Sequence, residues 1–121
     1  MCNIAVGAFY FTTFAEYTPV TTENHTKGLS PGDFPNWVLT QFGTVDEVRE
    51  AVESESAVIT PTVLDGWGPE TPPFHYVAYD KSCASIATEP VGGRLTASDC
   101  HLIPFCSALA ACGFPWIFIF Y

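Results

Sequence analysis

Phe74-His-Tyr-Val-Ala-Tyr-Asp80-Lys-Ser-Cys83-Ala-Ser-Ile-Ala-Thr-Glu89-Pro-Val-Gly92-Gly-Arg-Leu-Thr96 decides the fold. Phe74 to Tyr79 and Ala84 to Glu89 are two short runs rich in β-branched and aromatic residues. Asp80-Lys81-Ser82-Cys83 between them has the make-up of a hairpin turn. Gly92-Gly93 supplies the positive φ angles of a second tight turn. It opens into Arg94-Leu95-Thr96, so the middle of the chain is expected to be an antiparallel meander. Upstream, Ile4 to Phe11 is a continuous apolar run, the pattern of a strand buried on both faces.

The segments around these strands follow local rules. Thr12 to Gly32 is rich in Thr, Pro, Asn and Gly and is expected to be a long surface loop. Its Asn24-His25-Thr26 sequon is read as chance, because no basic n-region with an apolar h-region precedes it. Compartment is therefore left open. Asp33 can cap a first helix over 34–42, with Pro35 in its opening turn and Gly43 at its end. Phe34, Trp37, Val38 and Phe42 form its apolar stripe. Thr44 and Glu47 make a capping box for a second helix over 45–53. Val45, Val48 and Val52 form its buried stripe. Its charged side, with an Arg49–Glu53 pair, is expected to be a solvated face. Ala57 to Thr60 is a short strand, and Pro61 to Pro73, with four prolines and two glycines, is loop.

Composition limits the function. Of 121 residues 48% are apolar and 14% charged, which permits a core and argues against disorder. Lys plus Arg number 4 against 13 acidic residues, a formal charge of −9. Nucleic-acid binding needs clustered cations, as does docking on anionic lipid, so both are disfavoured. The five cysteines contain no C-x-x-C pair, and an odd number fits poorly with a complete disulfide framework. Cys100, His101 and Cys106 match no recognised zinc spacing, so neither metal nor cofactor is expected.

Three stretches, in this order, resemble the choloylglycine hydrolase family, the linear amide C–N hydrolases that include bile salt hydrolases and penicillin V acylases. The first is Ile4 to Tyr17, similar to the family's strand and aromatic loop. The second runs from Gly32 to Val52 through Asp33-Phe34-Pro35, Trp37-Val38-Leu39 and Thr44-Val45-Asp46-Glu47-Val48, similar to its pair of short helices. The third is His75 to Ser82, continuing to Ser85-Ile86 and Glu89 to Leu95. The resemblance implies an α+β fold that is part of a four-layer αββα sandwich of the N-terminal nucleophile type. It implies a linear amide as the small-molecule substrate. In the family the nucleophile is an N-terminal cysteine whose own α-amino group, with a pKa of ~7.7–8, serves as base. Neighbouring Asp, Asn and Arg hold that amine and form the oxyanion site.

The resemblance covers residues downstream of that nucleophile. The hairpin carrying the cysteine, Asp and Arg has no counterpart here. Where the family has Thr-Asn-Ser-Pro, this chain has Ser98-Asp99-Cys100-His101-Leu102-Ile103-Pro104-Phe105. An internal fragment, inactive by itself, is therefore the leading expectation, with no catalytic residue assigned. Of the family's site residues only Tyr10 has a match, at a position that lines the substrate pocket. Cys2 would become N-terminal on loss of Met1, but it falls just before a strand that lies mid-chain in the family.

Other expectations follow. A non-catalytic binding remnant would use Phe9, Tyr10, Phe11, Phe14 and Tyr17 as an aromatic surface. His75 is expected to be structural, Glu89 to face a partner in the sheet, and Asp80 and Lys81 to be turn residues. Residues 1–97 are read as the partial domain and 98–121 as a divergent apolar tail. No charge follows Asp99, and three of the five cysteines lie in the last 22 residues. A tail anchor is a further alternative. Pro104, Ser107, Gly113 and Pro115 interrupt the stretch, however, and no basic flank supports it. The break resembles that left by a shift of reading frame. Order there is expected from aromatics packing on the sheet rather than from a strand. A sheet lacking its second layer should also self-associate.

Overall fold

A computed structural model describes residues 3–10, 15–99 and 117–120. The elements run β1 (Ile4–Tyr10), a 3-10 turn (His25–Lys27), β2 (Gly28–Leu29), α1 (Phe34–Gln41), α2 (Val45–Glu53), β3 (Val58–Ile59), β4 (Phe74–Asp80), β5 (Ser85–Val91), β6 (Arg94–Asp99) and β7 (Ile117–Phe120). The main sheet has the order β6-β5-β4-β1-β7, and β2 pairs with β3 in a small parallel ribbon. β4, β5 and β6 form the expected meander, and β1 lies antiparallel beside β4. The architecture is α+β, with four antiparallel strands and two helices, as the sequence implied.

Register explains the core. Ile4, Val6 and Ala8 of β1 stand opposite Asp80, Ala78 and Tyr76 of β4, so all six share one face. Ile86 and Thr88 of β5 continue that face. α1 packs on β1 and α2 on β5 and β6. Phe34 and Val38 of α1 and Val45, Val48 and Val52 of α2 complete the cluster with Phe74 and Leu95. The alternate residues Ala5, Gly7 and Val77 are also buried, so β1 is covered on both faces as its apolar run predicts.

The turns follow their residue types. Gly92 and Gly93 have φ of 63° and 73°, the pair of left-handed positions of a two-residue hairpin loop. Segment 16–18 is stitched beside that turn. Glu16 donates to the Pro90 carbonyl at 2.8 Å and accepts from Gly93 N–H at 3.1 Å, and Thr18 N–H donates to Ile59 at 2.8 Å.

Several details correct the sequence reading. Asp33 sits at the N-cap of α1 with no side-chain capping bond. Its own N–H is engaged by Ser30, and its carbonyl accepts the first helical bond from Trp37. α1 ends at Gln41, one residue short of the expected 42, with Phe42 as its C-cap and Gly43 just beyond. Thr44 accepts from Glu47 N–H at 3.2 Å as a capping box requires. The returning Glu47 carboxylate, however, takes Gly43 N–H at 2.8 Å, one residue earlier than expected. Gly28–Leu29 form a strand inside the supposed loop, because β3 offers its edge there. Arg49 does more than face solvent, for it bonds Asp99 and ties α2 to the end of β6. Cys83, at φ 71° in the β4–β5 turn, is disulfide-bonded. Ile117–Phe120 were given no strand, yet their β-branched and aromatic alternation pairs in parallel with Val6–Phe9.

Candidate functional site

Tyr10 is the last residue of β1 and stands opposite Phe74, the first residue of β4. Directly paired residues share a face, so the two rings meet on the helix side of the sheet, 5.7 Å apart. Tyr10 keeps 39% of its surface exposed, whereas Phe74 is buried. The third ring is Trp67, from the proline-rich segment 61–73. It lies 6.2 Å from Tyr10 and 5.3 Å edge-on from Phe74. Contacts then continue inward through Tyr76 and Phe34 to Trp37 and Phe42. Tyr10 is the exposed end of a buried aromatic column.

Tyr17 fastens the segment that carries Trp67. Its hydroxyl donates to the Pro72 carbonyl and accepts from Phe74 N–H at 2.7 Å. Burial raises its pKa, and the bond from Phe74 only partly offsets this, leaving it pushed up to about 12. The hydroxyl therefore remains a donor across the physiological range. Deeper in, Tyr76 donates to the Pro31 carbonyl at 2.7 Å. Burial, then the neighbouring Tyr17, hold its pKa far above the ordinary tyrosine range.

The other candidates are scattered. Phe9 alternates with Tyr10 and faces the opposite side of the sheet, where its ring meets His75 at 5.8 Å. Of the expected aromatic surface, Phe9 and Tyr10 thus face opposite sides of the sheet, and the Tyr17 hydroxyl is engaged by Pro72 and Phe74. Phe11 and Phe14 lie outside those residues, as do Cys2, Cys100, His101 and Cys106. His75 Nδ1 is 3.6 Å from Glu89 on the adjacent strand, so Glu89 does face a partner in the sheet. Among the described residues no group of His, Cys, Asp and Glu could hold a metal ion. No helix among them is long and apolar enough to cross a membrane.

An open groove of about 370 Å³ lies between the end of α1 and α2, lined by residues such as Phe42, Glu47, Glu50 and Ser56. It is separate from Tyr10 and exposes carboxylates. Asp80, expected to be first of all a turn residue, is 4% exposed and also braces the fold. It accepts from Val45 N–H at 2.8 Å, Ser82 N–H at 2.9 Å and the Ser82 hydroxyl at 2.5 Å. Burial pushes its pKa up, and the bonds from Ser82, Val45 and Ala84 outweigh burial and bring it below the usual aspartate value.

Comparison with known proteins identifies the family. The family model for linear amide C–N hydrolases of the choloylglycine hydrolase family matches residues 3–101. The chain belongs to the choloylglycine hydrolase family. Two solved variants of the conjugated bile acid hydrolase from Clostridium perfringens superpose on it with TM-scores of 0.69 and 0.67, each at 24% identity. They cover 84% and 81% of this chain, which spans 30% and 29% of theirs. Penicillin V acylase from Agrobacterium tumefaciens gives a TM-score of 0.57 at 21% identity, covering 80% of this chain and 26% of its own. At these identities the structures establish a shared fold. None of the curated proteins compared with the chain matches it significantly.

Sequence reasoning named Tyr10 through the resemblance and Tyr17 as part of an aromatic surface, but gave no site role to Trp67 or Phe74, whose rings lie against Tyr10. Gly66-Trp67-Gly68 was the available signal, a lone tryptophan between two glycines in a proline-rich loop. Nothing in the local pattern of Tyr17 shows that its hydroxyl spans to residues 72 and 74.

Proposed function

We propose that these 121 residues supply part of the acyl-binding wall of a linear amide C–N hydrolase, with Tyr10 as the residue that meets substrate. The observation that carries this is the half-exposed Tyr10 ring, anchored on Phe74 and Trp67, at the position where the family resemblance puts a pocket-lining residue. The substrate class is a linear amide with an apolar acyl group, because the column behind Tyr10 is aromatic. No role in bond cleavage is assigned to any described residue. The chain aligns with less than a third of the length of its structural relatives. By itself it is expected to be inactive.

The test is incubation of the purified 121-residue chain with penicillin V and glycine-conjugated bile salts, following release of the amine. The expected result is no hydrolysis above buffer. Hydrolysis that disappears in Cys2→Ala would overturn the proposal and make Cys2 a working N-terminal nucleophile.

A further inference from the structure

We infer that Trp67 sets the preference of the Tyr10 site for ring-bearing acyl groups, and that Tyr17 is the positioning residue that holds Trp67 there. This rests on the reading of Tyr10 as the residue that meets substrate, and extends it to Trp67, outside the three stretches of the resemblance, and to Tyr17, at the end of the first.

Three observations support it. First, Trp67 is flanked by Gly66 at φ 83° and Gly68 at φ 96°. A Cβ added at either glycine would meet nothing within 4 Å. These glycines are therefore required for backbone direction rather than for space. Their left-handed conformations turn the chain on both sides of one tryptophan, and its indole reaches back to Tyr10 and Phe74.

Second, the loop is fixed on both sides of Trp67. Upstream, Trp67 N–H closes a turn on the Leu64 carbonyl at 3.1 Å, and Leu64 packs against the core. Downstream, the Tyr17 hydroxyl joins Pro72 to Phe74 N–H from 55 residues away in sequence. That hydroxyl stays protonated, so the clamp holds across the working pH range. A proline-rich segment that looks like spacer is thus a preorganised strap.

Third, the ring geometry suits an aromatic guest. Trp67 and Phe74 are at 87° and Tyr10 and Trp67 at 48°, so the exposed Tyr10 ring is flanked by tilted rings rather than by a flat stack. A further ring can add edge-to-face at Tyr10 and Trp67 together, and a flexible alkyl chain gains no such term.

The experiment titrates the full chain with N-phenylacetylglycine and N-hexanoylglycine, two amides of equal charge, using ligand-observed NMR. Circular dichroism checks that each variant is folded. The wild type should bind the aryl amide more tightly. Trp67→Leu should weaken the aryl amide about five- to tenfold and leave the alkyl amide within about twofold, and Trp67→Phe should restore most of the aryl preference. Tyr17→Phe should reduce the aryl preference in the same direction, whereas a loss confined to folding would weaken both ligands alike. Equal weakening of both ligands, or no change, in Trp67→Leu and Tyr17→Phe overturns the inference while Tyr10 stands. Should Trp67→Leu fail to fold, Trp67→Phe and Tyr17→Phe decide by the same ratio. Binding that survives Tyr10→Ala, or no binding by the wild type, removes the Tyr10 reading and this inference with it.

Discussion

Replacing Asp80 by Asn tests how the β4–β5 turn is joined to α2. Asp80 is buried, and its two carboxylate oxygens serve different elements. One takes Val45 N–H at the start of α2, and the other takes the backbone and hydroxyl of Ser82. Asparagine keeps one acceptor oxygen, so it can serve Val45 or Ser82 but not both. If Val45 loses its partner, a buried N–H goes unpaired, costing about 1–3 kcal/mol. Loss of the negative charge at the α2 N-terminus costs about 0.3–1 kcal/mol more. Ser82 is exposed and can turn to water, so little is added there. The sum is about 2 kcal/mol of stability at pH 7, measured by urea unfolding of wild type and Asp80→Asn. The pH dependence has a definite sign. The folded pKa lies below the ordinary value of 3.8, so the carboxylate's contribution is complete above that value. It is lost as pH falls through the folded pKa, where a protonated Asp80 comes to resemble Asn. The gap between the two proteins should therefore narrow as pH falls below the ordinary value of 3.8. A gap under about 0.5 kcal/mol at pH 7, or one independent of pH, would refute the reasoning.

Three further outcomes are expected. Thr44→Ala should destabilise the chain by about 1 kcal/mol through loss of the bond from Glu47 N–H, and Thr44→Ser should recover most of it in the same urea titration. Phe34→Ala should cost about 3–5 kcal/mol in that assay, because Phe34 is fully buried and stacks on Tyr76 at 4.5 Å. Self-association is expected through β6, which lies at the edge of the main sheet. Light scattering should give a mass above 13.2 kDa, and a monodisperse monomer at that mass would contradict it.

Local signals in the chain were legible where one period or one turn type dominated. The valine stripe at 45, 48 and 52 located α2 at Val45–Glu53, since helix spacing and a threonine cap agree there. Gly92-Gly93 located the β5–β6 turn for a similar reason. The strands at 74–80 and 85–91 differ from expectation by one or two residues, as fraying ends do. Contacts between distant segments were not legible. Asp80 was assigned to its turn because its bond to Val45 crosses 35 residues. The strap that carries Trp67 was read as plain loop because Tyr17 and Phe74 hold it from elsewhere in the chain. Strand β7 was missed because pairing with β1 is a tertiary choice that an apolar run alone does not specify. Tyr10 came from family resemblance, and its contacts with the rings of Trp67 and Phe74 came only from the fold.

The most direct test of the account is chemical-shift mapping of the 121-residue chain, labelled with ¹⁵N, during titration with penicillin V. The account predicts shifts that cluster at Tyr10, Trp67 and Phe74, with the Trp67 indole N–H among the largest. Shifts confined to the groove beside Phe42, Glu50 and Ser56, or a spectrum that penicillin V leaves unchanged, would contradict it.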